Sequence, residues 1–190
     1  MRKTTKTAAG AGRAALRDAG KLPRIVSSSH LVSAKAPELS EFEFGLIIAN
    51  HAFERWMARC MAAAGAKDMT PIDVLVLHHV NHQDSEKRLA DICFVLNVED
   101  THVVSYSLKK LMGAGLVRNA RRGKEVFFST TDAGRALCQR YRDVREACLM
   151  PGFSGSVEDN AHLAEVARLL RTLSGRYDQA ARAASASSAF

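Results

Sequence analysis

Aromatic residues are scarce in this chain of 190 residues, where they make up 6% and include a single tryptophan, Trp56. The cores of β-sandwiches and barrels usually hold more of them, so the scarcity favours a helical protein. Long apolar runs are missing as well. The longest uncharged one, from Phe44 to Phe53, is much shorter than the roughly 18 residues of a membrane-spanning helix. We therefore expect no transmembrane segment.

The cysteines lack the spacing of a disulfide framework or of paired Cys-x-x-Cys ligands. Four are present, and they stand far apart in the chain: Cys60, Cys93, Cys138 and Cys148. The N-terminal residues also lack the apolar segment of a secretory signal. We expect reduced thiols in a protein that stays in the cytoplasm. The basic, acid-poor N-terminus also fits an organelle transit peptide, and composition leaves that alternative open.

The positive charge is concentrated at the N-terminus. Net charge is +7, from 27 Lys and Arg against 20 Asp and Glu, and residues 1–37 hold eight of the basic residues with one acid, Asp18. Subtracting these from the totals of 27 and 20 leaves 19 of each sign in the rest of the chain. We predict a flexible basic arm over 1–37, one folded domain over 38–180 and a frayed tail over 181–190.

Apolar residues follow the arm at helical spacing. From Glu41 they alternate in steps of four and three, as in a helix that packs against another helix: Phe42, Leu46, Ala49, Phe53, Trp56, Cys60 and Ala63. Thr70-Pro71-Ile72-Asp73 then combines a capping hydroxyl, a proline in the first turn and a carboxylate three residues after the cap. This predicts a second, buried helix. A short helix from Leu89 and a longer one after Asp100, which ends at Gly115-Leu116, complete the series.

A hairpin and two further helices come next. Residues 116–120 and 126–129 are predicted strands, and the tip Arg121-Arg122-Gly123-Lys124 contains the glycine that a tight reversal needs. Thr131 caps a helix running towards Cys148. Ser156 opens a last helix whose apolar residues again step by three and four: Leu163, Val166, Leu170, Leu173 and Tyr177. The predicted fold is mostly α with a small β-hairpin.

The order of these elements resembles the winged helix-turn-helix of the MarR family of transcriptional regulators. The landmarks are Met69-Thr70-Pro71, Leu89-Ala90-Asp91, Gly115-Leu116-Val117, and the run from Thr131 to Leu137 after the wing. The resemblance covers about residues 41–177 and implies a DNA-binding core near 69–135, flanked by N- and C-terminal dimerisation helices. It further implies a homodimer that reads a pseudo-palindromic operator and responds to a small aromatic effector. The segment before the recognition helix is longer than in the family, and the family's Asp-x-Arg wing signature is absent.

The residues also favour DNA binding without the family name. With Val104, Leu108 and Leu111 inward, the other face of their helix offers polar side chains to base edges in a major groove. Lys109 to Lys124 contains six basic residues and no acid. The predicted DNA-binding residues are Thr101, His102, Ser105, Tyr106, Lys109, Lys110, Arg118, Arg121, Arg122 and Lys124. The alternative is a solvated hairpin with chance charge.

The resemblance places an effector crevice beside the first helix. Phe53, Trp56 and Met57, with His79 of the second helix, offer an apolar lining and one polar group, as ligand pockets usually do. The alternative is that these apolar residues only fill the dimer core.

Metal, redox and catalytic functions have weaker support. His78, His79 and His82 lack the glutamate of a zinc-hydrolase motif, so a packed histidine is the commoner interpretation. Cys138 and Cys148 are the better candidates for redox sensing, because the other two cysteines lie on apolar stripes. Catalytic signatures are lacking, and we expect neither an enzyme nor a cofactor. The alternatives to a regulator are an architectural DNA-binding protein and, less favoured, a small His/Cys metalloenzyme.

Overall fold

The structure, a computed structural model, describes residues 25–187. The predicted basic arm lies mostly outside the described residues. The helices are α1 (Pro37–Ala63), α2 (Pro71–Asn81), α3 (Leu89–Leu96), α4 (Thr101–Gly113), α5 (Asp132–Cys148) and α6 (Val157–Ala186). The strands are β1 (Lys87–Arg88), β2 (Val117–Arg122) and β3 (Glu125–Thr130). The chain divides into two compact units, up to Ala58 and from Arg59, with the boundary inside α1.

The described residues of the first unit, 25–58, form one 3-10 turn and most of α1. The turn, Ser29–Leu31, is tied to the start of the helix by Ser40, whose hydroxyl donates to the Leu31 carbonyl at 2.7 Å. The helix starts at Pro37, slightly earlier than the apolar pattern from Glu41 predicted. Proline suits a first turn because the amide it lacks has no helical partner there.

The core of the second unit lies among α2 to α5. Its fully buried side chains include Leu77 of α2, Ile92 of α3, Leu108 and Leu111 of α4, and Leu137 of α5. The prediction of a buried second helix is confirmed. The Thr70 cap is confirmed as well, since its hydroxyl accepts from the Asp73 amide and the Asp73 carboxylate accepts from the Thr70 amide.

The strands form a small antiparallel sheet in the order β1-β3-β2. The predicted hairpin is confirmed, but its tip was predicted too long. Arg121 and Arg122 pair with Val126 and Glu125, so only Gly123 and Lys124 remain in the turn. Gly123 has a φ of +62°, the left-handed conformation that such a tight reversal requires. The sequence pattern did not predict β1, because a strand of two residues has too little periodicity to be recognised.

Two helices complete the second unit. Thr131 caps α5 through the Gly134 amide, and Ser156 caps α6 through the Asp159 amide, as predicted. Helix α6 continues to Ala186, beyond Ala181, where the frayed tail was predicted to begin; alanine is the strongest helix former. No residue of α6 is buried. None of the helices in residues 25–187 combines the length and hydropathy of a membrane span.

Candidate nucleic-acid interface

Helix α4 separates a buried face from an exposed one. The predicted inward residues Val104, Leu108 and Leu111 are at most 1% exposed. Asp100 caps the helix, its carboxylate accepting from the His102 amide at 2.9 Å. Tyr106, on the outward face, is 73% exposed.

The outward face includes most of the predicted reading residues. Thr101, His102 and Lys109 are exposed, whereas Ser105 is half-buried and less accessible. Val103 is also outward and 42% exposed, and the sequence interpretation had not counted it among the reading residues. Its helical position, three residues before Tyr106, was the signal that would have identified it.

Lys110 has a different environment from its neighbour Lys109. Its ammonium lies 2.6 Å from the Asp73 carboxylate and also donates to the Asp68 carbonyl. Burial acts to raise the pKa of Asp73, but the hydrogen bonds from Lys110 and Thr70 outweigh it and lower that pKa. Lys110 therefore joins α4 to α2, and its predicted contact with a phosphate stays a prediction.

The two arginines at the tip of the hairpin differ in their hydrogen-bond and ionic partners. Arg121 is exposed, and its Nε donates to the Gly123 carbonyl at 3.1 Å. Arg122 forms an ion pair with Glu86 at 2.8 Å, and its guanidinium lies 5.3 Å from the centre of the Phe127 ring. Lys124 is exposed in the turn. Arg122 thus has an acidic partner, whereas Arg121 donates to the backbone of the turn and Lys124 lies exposed beside it.

Nearby acids reduce the local positive charge of the hairpin. Arg88, at the end of β1, contacts both Asp91 and Glu125 at 3.0 and 3.1 Å. Arg118, near the base of β2, is exposed and donates from Nε to the Ser129 hydroxyl at 3.2 Å. The acid-free run from Lys109 to Lys124 did not reveal the acidic partner of Arg122, because this partner, Glu86, lies 36 positions earlier in the sequence.

The predicted effector residues lie in both units. In the first unit Phe53 is 53% exposed, Trp56 is half-buried and Met57 is 3% exposed. In the second unit His79 is half-buried, and burial lowers its pKa, with the nearby charges of Lys87 and His82 acting in the same direction. Its neighbour His78 packs edge-on against Tyr141, with ring centres 4.6 Å apart.

The cysteines of the described residues are free thiols, and three of the four are buried. Burial raises the pKa of Cys138 to about 11, so this thiol resists ionisation. The expectation that Cys138 is a better redox candidate was therefore wrong, and only Cys148 is exposed. Residues 25–187 contain no group of three or more His, Cys, Asp or Glu side chains placed to hold a metal ion.

Residues 69–134 match the family described as the winged helix DNA-binding domain. No curated protein matches the sequence at a significant level. The fold and this match together define a winged helix protein.

The larger part of the chain is similar to solved structures of MarR and AbfR. A mutant MarR from E. coli in complex with operator DNA superposes with a TM-score of 0.59 at 17% identity, over 73% of this chain and 99% of that chain. AbfR of Staphylococcus epidermidis gives a TM-score of 0.60 at 17% identity, over 73% and 95%. Reduced AbfR bound to DNA gives 0.54 at 19% identity, over 72% and 96%. The chain thus has the MarR fold, and the predicted fold class is confirmed.

Proposed function

We propose that this chain is a transcriptional regulator that binds double-stranded DNA, with α4 in the major groove and the wing on the phosphate backbone. The observation that carries the proposal is the outward face of α4. There Thr101, His102, Tyr106 and Lys109 are exposed beside a basic hairpin. Two of the similar structures are complexes with DNA, which supports the same function here.

The two halves of the interface have different tasks in this proposal. Side chains of α4 reach base edges, whose hydrogen-bond donors, acceptors and methyl groups differ between base pairs. Arg121 and Lys124 of the wing meet phosphates, which are the same in every sequence. Specificity therefore depends on α4, and a large part of the affinity depends on the wing.

We also propose that the regulator works as a homodimer on a pseudo-palindromic operator. Helix α6 supports this, because it presents an exposed apolar stripe: Leu163, Val166 and Leu170 are 37–50% exposed in the part of the chain that the structure describes. Two-fold symmetry would place two recognition helices about one DNA turn apart, roughly 34 Å.

The proposal is tested by selecting duplexes that the full chain binds from a random DNA pool. A regulator enriches a pseudo-palindromic sequence. An architectural DNA-binding protein, the second candidate, binds with similar affinity to all sequences. Failure to enrich any sequence would therefore favour that candidate over a regulator.

Two substitutions then test the placement of helix and wing. Arg121→Ala should weaken binding to all duplexes and reduce the slope of log affinity against log salt by about one. Tyr106→Ala should change the enriched sequence. An identical, uniform loss from both substitutions would mean that helix and wing are placed wrongly.

A small aromatic effector, which the family resemblance implies, would contact Phe53, Trp56 and Met57 of the first unit. Trp56 is the only tryptophan, so its fluorescence reports binding directly. An effector should quench Trp56 and lower operator affinity by a coupling of roughly 1–3 kcal/mol. A compound that quenches Trp56 and leaves operator affinity unchanged is not an effector.

A further inference from the structure

The first turns of α4 present an apolar surface where a polar one is expected. Val103 and Tyr106 lie three residues apart on the outward face, with exposures of 42% and 73%. With Ile72, at the start of α2, they line one open hollow. Val104 is fully buried, which leaves Val103 as the exposed member of the pair.

The position of Val103 places it among the residues that reach base edges. It follows the Asp100 cap, and its amide donates to the Asp100 carbonyl at 3.2 Å, so it belongs to the first helical turn. In helix-turn-helix proteins the N-terminal residues of the recognition helix contact bases. With α4 placed in the major groove as proposed, a side chain at this position would face the base edges.

The chemistry of valine limits what it can recognise there. Guanine, adenine and cytosine expose hydrogen-bond donors and acceptors in the major groove, and only thymine adds a methyl group. Covering a donor or acceptor of a base with the isopropyl group of valine is unfavourable, because the polar atom of the base loses its hydrogen bond to water and gains no new partner. Covering a methyl group is favourable. Valine is also stiff about χ1, so it loses little side-chain freedom on contact.

We propose that Val103, flanked by the ring of Tyr106, reads the C5-methyl group of a thymine in the operator. This inference rests on the proposed DNA-binding function and specifies one base that it recognises. The selected sequences should therefore hold an invariant thymine in each half-site.

The test removes the thymine methyl group without changing base pairing. Each thymine of the selected duplex is replaced in turn by deoxyuridine, and the affinity of the full chain is measured. One position per half-site should lose about fourfold, which corresponds to one buried methyl group. In Val103→Ala the same replacement should cost clearly less than fourfold, because the two γ-methyl groups of valine, which cover most of the thymine methyl, are gone.

Val95→Ala is the matched control. Val95 lies on α3, is 59% exposed, and loses the same two methyl groups in the substitution. The Val95→Ala variant should lose the same affinity as the wild type when thymine is replaced by deoxyuridine. Thermal unfolding of each variant checks that the fold is unchanged.

The possible outcomes distinguish a failure of this inference from a failure of the proposed DNA-binding function. Specific binding that is indifferent to every deoxyuridine replacement, or an effect of undiminished size in Val103→Ala, overturns the reading of thymine and leaves the regulator in place. Selected half-sites without an invariant thymine also overturn it. Failure to bind DNA at all overturns the proposed function itself.

Discussion

Gly134 lies where the first turn of α5 meets the backbone between α4 and β2. A Cβ atom there would be 2.1 Å from the carbonyl oxygen of Leu116, closer than any real contact of this kind. Leu116 follows α4 directly and its carbonyl also accepts from the Thr131 amide. Because backbone atoms must move to admit a side chain, the site accepts only glycine.

Gly134→Ala should lower the free energy of unfolding by about 1–3 kcal/mol, the usual cost of overpacking. Chemical denaturation of the full chain measures it. Gly113→Ala is the control, since a Cβ atom at Gly113 meets nothing within 4 Å. Equal stability of the two variants would contradict the contact.

His78 links stability to pH. Burial lowers its pKa below the ordinary 6.5, so the folded state favours the neutral imidazole. When pH falls below 6.5, the unfolded chain binds a proton before the folded one does, and stability is lost down to the lowered pKa.

We therefore expect a larger loss of unfolding free energy between pH 7.5 and 5.5 in the wild type than in His78→Phe. Phenylalanine keeps a ring against Tyr141 and does not titrate. Denaturant titrations at the two pH values give the comparison. The same loss in both proteins would assign the pH dependence to other groups.

At the scale of the elements, an ion pair joins α2 to α4. Asp73 is 2% exposed, and its only cationic partner among the described residues is Lys110. The Asp73 carboxylate also completes the Thr70 cap, so a single group fixes the start of α2 and the position of α4.

Lys110→Ala should mainly lower the stability of the fold, whereas Lys109→Ala should mainly weaken DNA binding. Removing Lys110 leaves a buried carboxylate unpaired and should cost roughly 2 kcal/mol of stability, less than for a fully buried pair because the lysine is partly exposed. Removing the exposed Lys109 should weaken DNA binding with little change in stability. Thermal unfolding and DNA titration of both variants decide between these roles.

The sequence predicted those elements whose signals are local. The Thr70, Thr131 and Ser156 caps each involve residues within one helical turn, and all three were predicted from sequence. The pairing of Arg122 with Glu86 and of Lys110 with Asp73 joins distant positions, and no pattern in one sequence reveals such contacts. The candidate interface was thus predictable as a helix face and a basic hairpin. Which of its basic side chains form ion pairs with acids of the same chain was not predictable.

At the scale of the whole molecule, the apolar stripe of α6 should hold two copies together. Leu163→Glu places a charge in the stripe and should shift the chain from dimer to monomer in sedimentation at micromolar concentration, with weaker operator binding. Ala161→Glu, two residues earlier on the opposite face, should remain dimeric. A wild-type monomer at that concentration would contradict the homodimer.

The backbone amides of α6 should exchange hydrogen for deuterium at a rate that depends on the protein concentration. A helix of 30 residues with no buried side chain gains little from packing within its own chain, and tertiary packing of an apolar face supplies most of the stability of helices in proteins. The amide protons of α6 in a lone protomer should therefore exchange almost as fast as those of an unfolded peptide. In a dimer they should be slow, so their exchange rate should fall as the protein concentration rises, while the amides of α2 exchange at a constant rate.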